Sequence, residues 1–231
     1  MSPLSRFALS LILVTFTAAT PACAATEGTA ELAGTSDNTS ANDSAGTAGV
    51  ETTTETAGER LIAQPPRGWR QTGATSISTL RRAEFMPEDE LATGSETDWV
   101  RRITFESLKE DPLPDPLEFV ELMSMGRDYD CGTFRSHPTF AGEENGYPTA
   151  VFLQVCHKDR QTDRSEVTLM KAIQGNDYFY VITRSMRGDP IPKDGAPDIE
   201  EAEIGGWAVY LKSITVCDAS RPEAHPCPPA G

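Results

Sequence analysis

Apolar and polar positions divide this chain into three parts: a short apolar opening, a polar stretch, and a longer region in which the two kinds of residue alternate. The opening run from Phe7 to Phe16 is apolar but only ten residues long, which is too short to cross a bilayer as a helix. Arg6 precedes the run and small residues follow it as far as Ala25. This pattern is typical of a bacterial export signal.

The polar stretch runs from residue 24 to residue 58 and is built from Thr, Ala, Gly, Ser, Asn and acidic residues. Leu32 and Val50 are its only large apolar residues, so it cannot bury enough apolar surface to offset the entropy cost of ordering. We therefore predict a signal at 1–23, a disordered acidic linker at 24–58, a single domain at 59–220 and a proline-rich tail at 221–231.

The alternating region begins with strands and a helix. A first strand pair is expected over 77–85. Along 99–106, residues Trp99, Arg101, Ile103 and Phe105 share one face, while Val100, Arg102, Thr104 and Glu106 share the other. Asp115 is a candidate helix cap with Pro116 at the first helical position. The helix is predicted to carry its apolar face on Phe119, Leu122 and Met123, and to end at Gly126.

A run of strands follows. Residues 132–135 and 149–156 are predicted strands with a turn at 143–146 between them, and Val167, Leu169 and Ile173 mark one face of a third. The segment 178–182 is apolar on both faces and is expected to be central in the sheet.

A second helix is predicted after Asp198, its cap, with an apolar face on Ile204, Trp207, Ala208 and Leu211, before a short strand at 213–217. The order of elements indicates an α+β fold: an antiparallel sheet with two main helices packed on it.

The chain carries a large net negative charge, which limits the classes of macromolecule that it can bind. The formal net charge is −15, of which Arg6 contributes +1 and the linker −6, leaving −10 for 59–231. Such a charge opposes binding to nucleic acid and to an anionic membrane surface. Arg81, Arg82, Arg101 and Arg102 are the one basic concentration. Two interpretations stay open: local pairing with Glu84, Glu106 and Asp98, or a patch for an acidic partner.

Five cysteines bear on export and on stability. Residues 20–23 resemble a bacterial lipobox, which would lipidate Cys23, whereas Ala22-Cys23-Ala24 also fits cleavage by an ordinary signal peptidase. An even number of cysteines remains in an exported chain, which predicts two disulfides. Of three connectivities we favour Cys131–Cys156 and Cys217–Cys227. The rival interpretation of the tail is a zinc site of Cys217, His225 and Cys227.

Motifs for catalysis are weak. The three histidines, His137, His157 and His225, are not accompanied by a G-x-S-x-G elbow, a phosphate-binding glycine loop or an H-E-x-x-H sequence. Alternatives kept open are a thiol pair of Cys131 with His157, a calcium hint at Asp128 and Asp130, and a sugar groove lined by Trp69, Trp99 and Trp207. No catalytic residue, cofactor or metal ligand is predicted.

The order of elements resembles the PsbP-like fold group, which includes small bacterial envelope lipoproteins. The resemblance covers 66–216 and rests on short motifs: Pro66-Arg67-Gly68-Trp69, Glu84-Phe85-Met86-Pro87, the Trp99 strand leading to the Asp115 helix, Tyr178-Phe179-Tyr180 and the Trp207 helix. The chain also looks like uncharacterised proteobacterial exported proteins ending in Cys217-Asp218 and His225-Pro226-Cys227.

The resemblance implies a non-enzymatic envelope protein, lipid-anchored at Cys23 or free in the periplasm or medium, that binds another protein or a small ligand. The membrane would be reached only through that lipid. The alternative is a secreted or periplasmic hydrolase, for which we expect a pocket of convergent polar groups around His137 or His157. A binding module is instead expected to present an exposed patch or groove on the sheet.

Overall fold

The computed structural model of the chain describes residues 58–91 and 99–229. Nine strands and four helical segments occur within that part of the chain. In chain order they are β1 (Glu59–Ile62), β2 (Trp69–Ser76), β3 (Leu80–Pro87), α1 (Glu88–Leu91), β4 (Arg101–Leu108), α2 (Pro116–Met125), α3 (Arg127–Asp130), β5 (Phe134–Glu144), β6 (Tyr147–Cys156), β7 (Ser165–Gln174), β8 (Phe179–Gly188), α4 (Glu201–Ser213) and β9 (Thr215–Asp218).

Seven of the strands form one antiparallel sheet in the order β2-β3-β4-β8-β7-β6-β5, and β1 pairs with β9 in a separate two-stranded ribbon. The predicted α+β class, with helices packed on an antiparallel sheet, is confirmed. The strand β8 is the middle strand of the seven, as its apolar sequence predicts. Among the described helices, none combines the length and the apolar character needed to cross a bilayer.

Because side chains alternate along a strand, the sheet has two faces with different cover. The first face carries the main core: Ile103, Leu169 and Ile182 pack there beneath Trp207 and Leu211 of α4. The ribbon of β1 and β9 joins the same cluster through Leu61 and Val216. We call this the α4 face.

The opposite face is covered by α2 over only part of its area. Val120, which is fully buried, packs on Phe152, Ala172, Phe179 and Val181 of the strands below it. Asp115 caps the helix as predicted, since its Oδ1 accepts hydrogen bonds from the backbone N–H groups of Leu117 (2.8 Å) and Glu118 (3.1 Å). We call this the α2 face.

A tight turn at Asn145-Gly146 joins β5 to β6, with φ angles of 51° and 77°. Two successive positive φ values are what a two-residue hairpin of this kind requires. A Cβ at Gly146 would also lie 2.7 Å from the backbone oxygen of Ala224. The tail therefore packs directly on the hairpin, and His225 stacks on Tyr147 with ring centroids 4.0 Å apart.

Several predicted boundaries are wrong. The first strand pair does not cover 77–85: β2 and β3 flank a turn in which the N–H of Ile77 donates to Leu80 O. Asp198 does not cap α4, because the helix begins after Glu200 and no side chain caps it. On α2, Leu122 and Met123 are exposed, and the buried residues are Pro116 and Val120. The ribbon strand β1 was not predicted, and the predictions for the signal, most of the linker and Cys23 lie outside the described residues.

Candidate functional site

A cleft of about 370 Å³ opens on the α2 face, beside the helix. Its wall is formed by α2 and the start of α3, and its floor by residues of the strands β3, β4, β8, β7 and β6. The described lining residues are Arg82, Arg102, Thr104, Glu106, Phe119, Met123, Arg127, Gln154, Glu166, Thr168, Met170, Val181, Thr183 and Ser185.

The floor of the cleft is polar because alternate residues of four adjacent strands, β4, β8, β7 and β6, point to it. The register places Arg102 opposite Ser185, and Ser185 opposite Thr168, which in turn lies opposite Gln154. Of these, Ser185, Thr168 and Gln154 are buried. The hydroxyls of Thr168 and Ser185 lie 2.7 Å apart, and Thr168 donates to Glu166 over 3.2 Å. A continuous row of polar groups thus crosses the sheet where the helix does not cover it.

The wall of the cleft is apolar at one end and cationic at the other. Phe119, Met123 and Arg127 are spaced four residues apart and line the same side of the cleft. The Phe119 ring packs on Phe179 with centroids 4.6 Å apart, whereas the Arg127 guanidinium lies 4.0 Å from the Glu166 carboxylate. The cleft is therefore amphipathic along its length.

Four arginines and three glutamates stand in or beside the cleft, and their pairing is uneven. Arg82 is bonded to Glu84 and lies 3.4 Å from Glu106, and Arg187 contacts Glu166 at 3.1 Å.

The other two guanidiniums lie farther from their nearest carboxylates. Arg102 approaches Glu84 only to 3.9 Å and Arg127 approaches Glu166 only to 4.0 Å. Both distances exceed that of a hydrogen bond, and within the described part of the chain neither side chain donates one.

Trp99 packs against two of these four arginines. Its side chain is buried, and the guanidinium carbons of Arg187 and Arg102 lie 3.9 Å and 4.1 Å from its ring centroid. Contacts of this kind are cation–π interactions. A displacement of either arginine would therefore change the immediate surroundings of the indole ring.

Burial shifts two ionisations in the cleft. It raises the pKa of Glu106, an effect that the nearby Arg82 opposes. It lowers the pKa of Arg102, against the attraction of Glu84 and Glu166. Both shifts have the same physical cause: water is partly excluded from the floor, so charges there are costly unless they are matched.

The predicted cysteines lie away from the cleft. Cys131 and Cys156 have Cα atoms 5.5 Å apart, and Cys217 and Cys227 have Cα atoms 4.9 Å apart, with the sulfurs of each pair at disulfide distance. These are the pairings that the spacing favours. The thiol pair of Cys131 with His157 is therefore not formed.

The histidines do not converge on a pocket. His137 is exposed on β5, and the buried His157 places Nδ1 3.1 Å from the backbone oxygen of Pro192. His225 stacks on Tyr147 while Cys217 faces Cys227, so the three residues of the rival zinc interpretation do not assemble. Among the described residues, no three potential metal ligands cluster; the side chain of Asp128, which the calcium hint names with Asp130, lies outside the described part of the chain.

The basic concentration is divided by the sheet. Arg82 and Arg102 face the cleft, whereas Arg101 bonds to Asp89 and Glu90. Local pairing of Arg82 with Glu84 and Glu106 is found as one interpretation expected, and Asp98 lies outside the described residues.

The three tryptophans do not share a groove. Trp69 and Trp207 lie near Arg184 in the cluster on the α4 face, whereas Trp99 packs against Arg102 and Arg187 on the opposite side of the sheet. Because Trp99 lies on the other side of the sheet from Trp69 and Trp207, the three rings cannot line one sugar groove.

The cleft itself was not predicted. A signal for it does exist in the sequence, because polar Thr183, Ser185 and Arg187 occupy alternate positions of the middle strand of the sheet, and Glu166 and Thr168 alternate with apolar residues in its neighbour. Polar residues on one face of a central strand indicate a face that the core does not fill.

Comparison with known proteins gives structural neighbours only. No protein-family description matches the sequence, and no curated protein does. One solved structure with a similar fold is LpqN, involved in cell envelope biogenesis of Mycobacterium tuberculosis: 13% identical, covering 71% of this chain and 87% of that one, with a TM-score of 0.42. Another is a point mutant of the protein Mog1: 14% identical, covering 69% and 92%, with a TM-score of 0.40.

A third is the Saccharomyces cerevisiae Ran-binding protein Mog1p: 11% identical, covering 68% of this chain and 91% of that one, with a TM-score of 0.38. Similarities at this level assign no family to the chain. The resemblance to the PsbP-like group therefore stays a prediction, and the function is argued from the cleft.

Proposed function

We propose that the protein is a non-enzymatic, exported binding module of the cell envelope, and that the cleft on the α2 face holds a small ligand. The observation that carries this proposal is the polar floor beside α2. A sheet face that served packing alone would be apolar beneath a helix, whereas here buried hydroxyl and amide groups are left beside an open space.

The size and lining of the cleft support a small molecule as the ligand. Its volume of about 370 Å³ falls within the range of roughly 300–1,000 Å³ that is usual for small-molecule sites. Such sites combine apolar walls with a few polar groups that fix orientation. Phe119 and Met123 supply the wall here, and Thr168 and Ser185 supply polar groups in the floor.

The side chains in the cleft favour binding over hydrolysis. Its described lining contains no His, Cys or Lys. Since Thr168 donates to Glu166, Ser185 is the donor to Thr168, and both hydroxyl protons are used within the floor. The Glu166 carboxylate is in turn engaged by Arg187. An activated nucleophile needs a base that is directed to it and open to substrate, which this lining does not offer.

Export is supported by independent features. The sequence opens with a predicted signal, and the two cysteine pairs lie at disulfide distance, as expected in an oxidising compartment. Anchoring through lipid on Cys23 and release as a soluble protein are both compatible with this proposal.

The proposal is tested by native mass spectrometry of the protein purified from its own cell envelope. Thr183 lies in the middle of the floor, so Thr183→Trp fills the cleft. Val209 is exposed on α4, so Val209→Trp adds the same ring outside it. We expect a bound small molecule on the wild type and on Val209→Trp, and its loss from Thr183→Trp. Far-ultraviolet circular dichroism of each variant checks the fold. No bound mass on any variant, or the same mass on Thr183→Trp, would contradict the proposal.

A further inference from the structure

Resting on the proposed function, we propose that the ligand is a small organic anion with an apolar body, and that Arg102 and Arg127 hold its acid group. The carboxylate or phosphate would lie at the cationic end of the cleft. The apolar body would lie along the wall formed by Phe119 and Met123.

The first step of the argument is the state of the two arginines. Guanidinium groups form paired hydrogen bonds with carboxylates and phosphates. Arg82 and Arg187 already have a carboxylate at contact distance, whereas Arg102 and Arg127 have theirs at 3.9 Å and 4.0 Å. Within the described part of the chain, these two side chains donate no hydrogen bond. Their N–H groups are thus available to an acid that enters the cleft.

The second step is that the two arginines share one neighbourhood. Glu166 lies 4.0 Å from Arg127 and also acts electrostatically on Arg102. Arg187, which binds Glu166, lies with Arg102 against the ring of Trp99. The two guanidiniums therefore border the same end of the cleft and can act on a single acid group.

The third step is the charge balance, which favours an anion over a cation. Four arginines meet three carboxylates in and beside the cleft: Arg82 contacts both Glu84 and Glu106, and Arg187 contacts Glu166. The group therefore carries one excess positive charge, and Arg102 and Arg127 are the two arginines whose nearest carboxylates lie beyond hydrogen-bond distance. An anion would neutralise that charge, whereas a cation would add to it.

The fourth step limits the anion to a small one. The domain region carries a net charge of −10, which repels nucleic acid and anionic membrane surfaces. The apolar side chains in the lining, among them Phe119, Met123 and Met170, require an apolar body to be covered. A short chain or ring that ends in one acid group matches both conditions.

Trp99 provides the measurement. Because Arg102 and Arg187 lie against its ring, an acid that draws Arg102 away should change its fluorescence. The probes are octanoate, octyl phosphate and the neutral octanamide, titrated into the full chain. Trp99→Phe assigns the signal, since Trp69 and Trp207 lie on the other face of the sheet.

We expect saturable changes with octanoate and octyl phosphate, and binding of octanamide that is weaker by about ten-fold or more. Because Arg102→Gln removes the contact that Trp99 reports, the variants are compared by isothermal titration calorimetry, and Arg102→Gln and Arg127→Gln should each weaken octanoate binding by about ten-fold. Arg70→Gln is the matched control: Arg70 is exposed on β2 and pairs only with Glu88 in the described chain, so its affinity should equal that of the wild type.

Three results would overturn the inference. They are equal affinity for octanamide and octanoate, unchanged affinity in both cleft variants, and the absence of any response to the two anions. A response to vesicles of phosphatidylglycerol without one to octanoate would also overturn it, since the site would then be a membrane contact. Each of these leaves the proposed function standing if a bound mass is still lost from Thr183→Trp.

Discussion

Asp218 is a buried carboxylate that is bonded on both oxygens. Its Oδ1 accepts hydrogen bonds from the backbone N–H (2.8 Å) and the hydroxyl (2.6 Å) of Ser220, and its Oδ2 accepts one from Arg221 Nε (2.8 Å). These bonds, with that from the Ser220 hydroxyl first among them, hold the pKa of Asp218 below its usual value. The residue thus fixes the end of β9 to the start of the tail.

Replacement of Asp218 should change stability in a pH-dependent way. Because the folded-state pKa is lowered, the stabilisation is present above the unfolded pKa of about 3.9 and is lost as pH falls through the folded value. We expect Asp218→Asn to lower the free energy of unfolding at pH 7 by about 1–3 kcal/mol, and the difference from the wild type to shrink towards pH 2. Urea unfolding at a series of pH values measures this; a difference that stays constant with pH would contradict it.

Lys171 shows at the same scale what the sequence does not reveal. It lies between Leu169 and Ile173 on an apolar face, and the sequence gives no reason to bury it. In the structure it is fully buried, and its Nζ donates to Glu144 and to the backbone oxygens of Leu211 and Ile214. These acceptors lie at least 27 residues away along the chain, so no local pattern predicts them.

At the scale of elements, the sequence predicted those features that depend only on residues close together in the chain. The cap at Asp115, the turn at Asn145-Gly146 and the apolar strand β8 are each set by neighbouring residues, and all three are found. The ribbon pairs β1 with β9, which come from opposite ends of the domain sequence. Of these two strands, only β9 was predicted. The cleft depends on where α2 stops above the sheet, which alternation along a single strand cannot specify.

The helix α2 forms a wall of the cleft, and its start offers a test with an internal control. Asp115→Ala removes the side chain that accepts the N–H groups of Leu117 and Glu118. We expect a loss of about 1 kcal/mol in the free energy of unfolding. Asp198→Ala is the control, because this residue precedes α4 but does not cap it. Chemical denaturation compares the two; equal effects would show that the Asp115 cap contributes nothing.

At the scale of the whole molecule, an intact-mass measurement tests both the export of the chain and the oxidation state of its cysteines. The protein is purified from its own envelope and alkylated before and after reduction. We expect none of Cys131, Cys156, Cys217 and Cys227 to react before reduction and all four to react afterwards, because each pair lies at disulfide distance. A cysteine of these four that reacts beforehand would contradict the two-disulfide framework.

The same mass decides between the two forms of export. A chain that begins at Cys23 and carries acyl groups is a lipoprotein, whereas one that begins near Ala25 is a soluble exported protein. A mass that retains residues 1–22 would contradict export by either route.

The position of Gly58 has a consequence for how the domain can be held. Gly58 adopts a φ of +96°, and its carbonyl accepts a hydrogen bond from the N–H of Ala219. A Cβ there would lie 2.5 Å from a carboxylate oxygen of Asp218. The chain therefore enters the domain at a fixed point beside the ribbon of β1 and β9, which packs on the α4 face, whereas the cleft opens on the opposite face. A fluorophore, a bead or a lipid attached ahead of Gly58 would pull on the domain from the side of the sheet that does not carry the cleft, so the attachment itself would not block the mouth of the cleft.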